Sequence, residues 1–424
     1  MPSSAPERRI VASLGTLGKD VNRVRMIDVA KAGRLRIACV GGFLLVMLGF
    51  ASCGGTSTSN PPPQGTRGQP ATTNTAVLPT TSSSPPSSTT TQPAEPTGFA
   101  PADFTAISAT QWWVLGCRQG ECPYVASTSD GGDNWSIVGA PSAWGNPLYQ
   151  PQPTIDNAMH LRFADANDGW AFGPGLYDTH DGGKTWSQLD LGGAVEDLEP
   201  GLGRVYAVVF PGPPSSACSS PRCPGLQLWS SPITSNAWSK VSVPEHFYVG
   251  SVAVLGDDVY LQVTAGGEGE TTGLLISTDQ GHRFTESAKF GTGYGCAISP
   301  VAETIWAFCP TGLEGLSLVS TNGGRTFTDA GFRQANGSDI AGVSASVAIA
   351  AAGAPGTPLW RTVDGGRTFT PVQSAPDGTG FWYLMGFTNP LDGYALWGDV
   401  GLPEASALWH TTDGGQHWSP ETIQ

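Results

Sequence analysis

The stretch RTVDGGRTFT, residues 361–370, places one acid and two glycines among three threonines. Such a set suggests three chemistries: a phosphate cradle, a calcium loop or a catalytic aspartate on a turn. A P-loop needs Lys directly after its glycines, and Arg367-Thr368-Phe369 follow here. An EF-hand loop needs alternating acids, which this stretch lacks. With a catalytic aspartate, the stretch would stand alone in the chain.

It is one of a series. TSDGGDNW ends at Trp135, THDGGKTW at Trp186, STDQGHRF at Phe284, STNGGRTF at Phe327, TVDGGRTF at Phe369 and TTDGGQHW at Trp418. Six copies share hydroxyl-x-Asp/Asn-x-Gly-x-x-aromatic. A degenerate seventh, SPITSNAW ending at Trp238, fills the double-length gap between Trp186 and Phe284. The seven aromatics are then 51, 52, 46, 43, 42 and 49 residues apart. A fixed period of this size marks a repeat architecture. One catalytic aspartate among six would leave the others without a role. Asp130, Asp181, Asp279, Asn322, Asp364 and Asp413 are therefore read as turn residues.

Each unit has the same lead-in. A segment such as MHLRFAD precedes an aromatic strand such as GWAFG. A strand running into the motif (LYDTHD) and one leaving it (WSQLD) complete four short strands per unit. Seven such units predict an all-β fold, a seven-bladed β-propeller of four-stranded blades over residues 102–424.

The motif resembles the Asp-box, or BNR repeat, of sialidases, related glycosidases, sortilin-type receptors and photosystem II assembly factors. The resemblance implies a hairpin turn between the third and fourth strands of each blade. Residue chemistry agrees: Asp accepts backbone N–H bonds within the turn, and Gly supplies φ > 0. The ring that follows packs between blades, worth a few kcal/mol.

Two segments precede the propeller. Residues 1–53 hold a basic flank, Arg34 and Arg36, before the apolar run Ile37–Ala51. That run is shorter than the roughly 18–20 residues of a spanning helix and reads as a signal peptide. Met26 is an alternative start. The run ends Phe50-Ala51-Ser52-Cys53, which resembles the lipobox of bacterial lipoproteins, with Phe50 in place of the usual aliphatic residue. The resemblance implies acylation of Cys53 and a membrane anchor on the outer surface. Residues 54–101 are nearly all Ser, Thr, Pro, Gly, Gln and Asn, a disordered spacer that cannot bury a core.

Charge separates along the chain. Residues 1–53 carry eight Lys/Arg and three Asp/Glu, net +5. The remainder carries thirteen against thirty-two, net −19, summing to the whole-chain −14. An acidic body repels polyanions and argues against nucleic acid as a partner. The six histidines, at 160, 180, 246, 282, 410 and 417, show no tight ligand spacing, so no metal or other cofactor is expected. His180, His282 and His417 fall within the motif turns. No GxSxG elbow is present.

Cys117, Cys122, Cys218, Cys223, Cys296 and Cys309 are even in number in an exported domain. Spacing pairs 117 with 122, 218 with 223, and 296 with 309 across a turn at Ala302-Glu303. A zinc site is the competing arrangement.

Strand parity decides which face carries function. First and third hairpins of a four-stranded meander share one face, so the motif turns occupy it. Second hairpins and interblade links occupy the other. That face offers Trp144, Tyr149, His246, Tyr248, Trp382 and Tyr383 beside Glu268 and Glu270. Aromatics beside carboxylates suit a glycan or peptide ligand. Inner-strand packing is the competing reading for each ring. The expected protein is a monomeric, surface-anchored binding or scaffold propeller for a glycan or protein of the envelope. A glycoside hydrolase using two carboxylates is the alternative. Its sialidase form lacks an Arg-Ile-Pro signature and has few spare arginines. A third reading is an assembly factor for an envelope complex.

Overall fold

The computed structural model describes residues 98–143, 157–211, 225–244, 248–264, 271–292, 296–310, 315–333, 337–399 and 402–424. They form seven antiparallel sheets of four strands each, β1 to β28 in chain order, with no helix among the described residues. In every sheet the strand order follows the chain order, so each blade is a simple meander. The protein is a seven-bladed β-propeller, as the period predicts.

The first strand of each blade neighbours the first strand of the next. These inner strands are β1 (Phe99–Ala106), β5 (His160–Phe163), β9 (Ala194–Pro200), β13 (Tyr248–Leu255), β17 (Ala297–Val301), β21 (Gly337–Gly342) and β25 (Phe381–Phe387). The core is divided into seven apolar clusters, one at each junction between blades. Trp113, Leu115 and Val125 meet Leu161, Phe163 and Tyr177 between blades 1 and 2. Blades 6 and 7 share Ala341, Ile349, Trp382 and Trp397.

Closure follows the same rule. Blade 7 is built only from consecutive strands, so no strand is exchanged with blade 1. Phe104, Trp112 and Val114 of blade 1 pack instead against Leu384, Tyr394 and Leu396 of blade 7. Trp112 and Tyr394 meet edge to face at 4.6 Å. The ring is held shut by apolar burial and aromatic packing.

The motif turns repeat one geometry. Thr362 donates its hydroxyl to Asp364 Oδ1 at 2.9 Å and accepts the Gly366 N–H at 2.9 Å. Asp364 also accepts the Thr368 N–H at 3.0 Å and its hydroxyl at 2.7 Å. Gly365 and Gly366 take φ of 74° and 88°, a region that glycine enters freely. The hydroxyl-to-carboxylate bond recurs in blades 1, 2, 4 and 7, and Ser320 makes the same bond to Asn322 in blade 5. The Thr368 bonds hold the Asp364 carboxyl at about 2.

Each turn docks on the first hairpin of its own blade. The Gly365 N–H donates to Ser346 O at 3.0 Å, and Gly131, Gly182, Gln280, Gly323 and Gly414 make the equivalent bond. In blade 3 the degenerate turn does so through Ile233, whose N–H donates to Gly203 O at 3.2 Å. These seven bonds place the motif turns and the first hairpins on one face, as parity requires.

Candidate functional site: buried charges on the inner strands

The inner strands carry charge in their middles. Asp103 on β1, His160 and Arg162 on β5, Asp197 and Glu199 on β9 and Asp339 on β21 are all at most 4% exposed. An inner strand has an unpaired edge toward the ring axis, and its N–H groups there need acceptors. A local bulge lets an acid supply one. The pairings of β1 with β2 (Trp112–Arg118), β9 with β10 (Arg204–Phe210) and β21 with β22 (Ala348–Ala352) shift register at Pro101/Asp103, Val208/Val209 and Gly337/Asp339.

Each acid turns back on its own backbone. Asp103 Oδ1 accepts the Phe104 N–H, Asp197 Oδ1 that of Leu198, and Asp339 Oδ1 that of Ile340. Two of them also clasp the next blade. Asp197 Oδ2 accepts the Val252 N–H at 2.9 Å, and Asp339 Oδ2 accepts that of Met385 at 2.8 Å. Thr105 and Ser299 hydroxyls do the same for Phe163 and Gly342.

Arg162 links these acids. Its Nε lies 3.2 Å from Glu199 Oε2 and its Nη1 3.6 Å from Asp103 Oδ1. His160 Nδ1 lies 2.7 Å from the other oxygen of Asp103. Burial opposes the Arg162 charge, but Glu199, Asp103 and Asp197 outweigh it and raise the guanidinium above its ordinary value. Burial pushes the Glu199 carboxyl well up, against the pull of Arg162. Asp339 is pushed up to about 7 by burial, against the two backbone donors. Each of these carboxylates has at least one oxygen engaged by the chain itself, while Glu199 Oε1 is buried without a hydrogen-bond partner.

The residues expected at the opposite face divide into three groups. Trp144, Tyr149, His246, Glu268 and Glu270 lie outside the described residues, as do Cys53, Cys218 and Cys223. Tyr248 opens β13. Trp382 and Tyr383 lie on β25, and Trp382 is fully buried, edge-on to Trp409 at 5.4 Å. Its ring is interblade packing, the competing reading for these aromatics. Tyr383 packs against the cluster between blades 7 and 1, and burial, then Asp103, raises its phenol.

Two of the expected disulfides are present, Cys117–Cys122 and Cys296–Cys309. The second crosses from the start of β17 to β18 (Thr304–Pro310) around the Ala302 turn.

The charged cluster does not stand out in the sequence, because acids inside FAPADFTA, AVEDLEP and GSDIAG disfavour strand structure. Their signal is an acid in the middle of a first strand, repeated in three blades. His180 lies on an exposed motif turn, and its ring contacts both Asp168 and Asp178.

No protein-family model matches the sequence, and no curated protein matches it. Among solved structures, YCF48 from Cyanidioschyzon merolae is 16% identical, with 72% of this chain and 94% of that chain covered, at a TM-score of 0.45. The GH74 enzyme of Niastella koreensis is 12% identical over 77% of this chain and 66% of its own, at 0.38. A prolyl endopeptidase chain is 10% identical over 77% of this chain and half of its own, at 0.51. These are likenesses of fold, and a propeller fold supports both enzymes and non-enzymes.

Proposed function

We propose that this chain is an exported, lipid-anchored propeller that binds a glycan or protein of the cell envelope without transforming it. The observation that carries this reading is the state of the central acids. Asp103, Asp197, Glu199 and Asp339 are buried and engaged by backbone N–H groups or Arg162. A glycoside hydrolase needs two carboxylates flanking a substrate, one of them free to pass a proton. The acids at the centre of this ring serve as scaffold, and the motif acids serve as turn clamps. A rigid ring with one face of variable links and hairpins suits presentation to a partner. Acylation at Cys53 and the Ser/Thr/Pro-rich stretch between it and β1, which begins at Phe99 rather than after residue 101, would hold that face clear of a membrane.

The test has two arms on the full chain. Fluorogenic sialosides and neutral glycosides should show no turnover above buffer, while calorimetry against envelope glycan fragments should show saturable binding. Robust turnover overturns the reading in favour of the hydrolase. Palmitate labelling in a bacterial host should be present in the wild type and lost in Cys53→Ala; its absence from the wild type removes the anchor. An assembly role would appear as loss of one envelope complex on deletion, with no glycan bound.

A further inference from the structure

We propose that His180 is a pH-operated clasp at the junction of blades 2 and 3, closed when its imidazole is protonated and loosened when it is neutral. The geometry carries this. His180 Nδ1 lies 2.5 Å from Asp168 Oδ1, and Nε2 lies 2.9 Å from Asp178 Oδ2. Only the imidazolium has an N–H on both ring nitrogens, so only that form satisfies both carboxylates. In the neutral ring one nitrogen turns a lone pair toward a carboxylate at hydrogen-bond distance.

The same Asp178 oxygen carries the contact to the next blade. Asn236, in the turn of blade 3, donates its amide to Asp178 Oδ2 at 2.8 Å. Asp178 is 2% exposed, and its Oδ1 has no hydrogen-bond partner, so its orientation rests on Oδ2. Releasing His180 therefore leaves a buried carboxylate held by Asn236 alone. The charged groups facing the ring are Asp168, from the hairpin between β5 and β6 (Gly169–Phe172), and Asp178, on β7 (Leu176–Thr179). Blade 3 presents the neutral Asn236 to that carboxylate. The His180 side chain is 41% exposed, so it has room to swing into water. Blade 7 holds a looser version: His410 Nδ1 is 3.1 Å from Glu421, but Nε2 is 3.7 Å from Asp392, beyond hydrogen-bond reach.

Bonds to Asp168 raise the His180 pKa against its partial burial, with the Asp178 charge adding. A raised histidine contributes stability fully below its unfolded value, near 6.5, and loses it as pH rises through the folded value. The clasp is therefore shut in mild acid and opens toward alkaline pH.

The experiment uses the full chain labelled with ¹³C-histidine. The His180 ring should titrate above about 6.5, and Asp168→Asn should lower its midpoint. Hydrogen exchange of residues 233–238, corrected for intrinsic rate, should quicken by about threefold or more between pH 5.5 and 8.5 in the wild type, and not in His180→Gln. A His180 midpoint at or below the ordinary value, an unchanged midpoint in Asp168→Asn, equal protection at both pH values, or the same pH dependence in His180→Gln overturns the proposal.

Discussion

Arg162 Nε sits 3.2 Å from Glu199 Oε2, and the same guanidinium lies 3.6 Å from Asp103, so one side chain from blade 2 ties blades 3 and 1 together. A buried cation with several acids is costly to break from one side, because the removed partner leaves charge unpaired. Arg162→Met is expected to lower unfolding free energy by about 3–5 kcal/mol in urea titration. Glu199→Gln should cost less, since burial already favours the protonated carboxyl. Equal costs would mean that Glu199 is fully ionised in the ring.

The motif turn makes a sharper prediction. The Thr362 hydroxyl is buried and both donates and accepts. Thr362→Val should cost about 1–3 kcal/mol, whereas Thr362→Ser should be nearly silent. Serine already serves at Ser277 and Ser320. The two glycines should also separate. A Cβ at Gly365 meets nothing within 4 Å, while one at Gly366 would lie 2.6 Å from Ala330 Cβ. Gly366→Ala should therefore lower thermal stability more than Gly365→Ala, although both sit at positive φ.

The two disulfides are expected to differ. Cys296–Cys309 spans 13 residues and is buried among Ile298, Ile305 and Phe290 between blades 4 and 5. Replacing both with Ala should cost about 3 kcal/mol by loop closure alone. Cys117–Cys122 spans five residues on the second hairpin of blade 1 and constrains little. Urea midpoints of the two double variants would check the order; a larger loss at 117–122 would contradict it.

Stability should peak in mild acid. Asp364, through the Thr368 bonds, is held at about 2. Asp413 is also held at about 2, where turn bonds outweigh the opposing effect of burial. Groups depressed in the fold contribute above their unfolded value, near 4, and lose that contribution as pH falls through about 2. Asp339 runs the other way. Raised to about 7, it supports the folded ring fully below the unfolded value, about 4, and that support is lost progressively as pH rises to about 7, with no further loss above. Melting temperature followed from pH 2 to 9 should therefore fall at both ends. A flat profile between about pH 4 and 7 would show that Asp339 is already ionised in the fold.

Much of this molecule is legible in one dimension. The spacing of six hydroxyl-x-Asp/Asn turns, and the gap that hides a seventh, determined blade count, strand number and the face that bears the turns. That information is local: a hydroxyl, an acid and two glycines close a hairpin by bonds within a few residues, so each copy announces itself. Cys296 and Cys309 were legible for the same reason, since they flank one turn. The inner cluster was not. Asp103, Arg162 and Glu199 belong to three blades, and nothing in their spacing says that they meet. Only the packing of successive blades sets the three inner strands side by side and removes water, and burial then raises Glu199 and Asp339. Trp382 marks the same boundary: its type suggested a ligand surface, and the packing of blade 7 on blade 6 made it core. His180 is the exposed turn residue its motif position implies, but only the fold brings Asp168 and Asp178 to its two nitrogens and Asn236 to the second of those carboxylates. The repeat determined the scaffold; the tertiary structure decided which charges face water and which hold the scaffold shut.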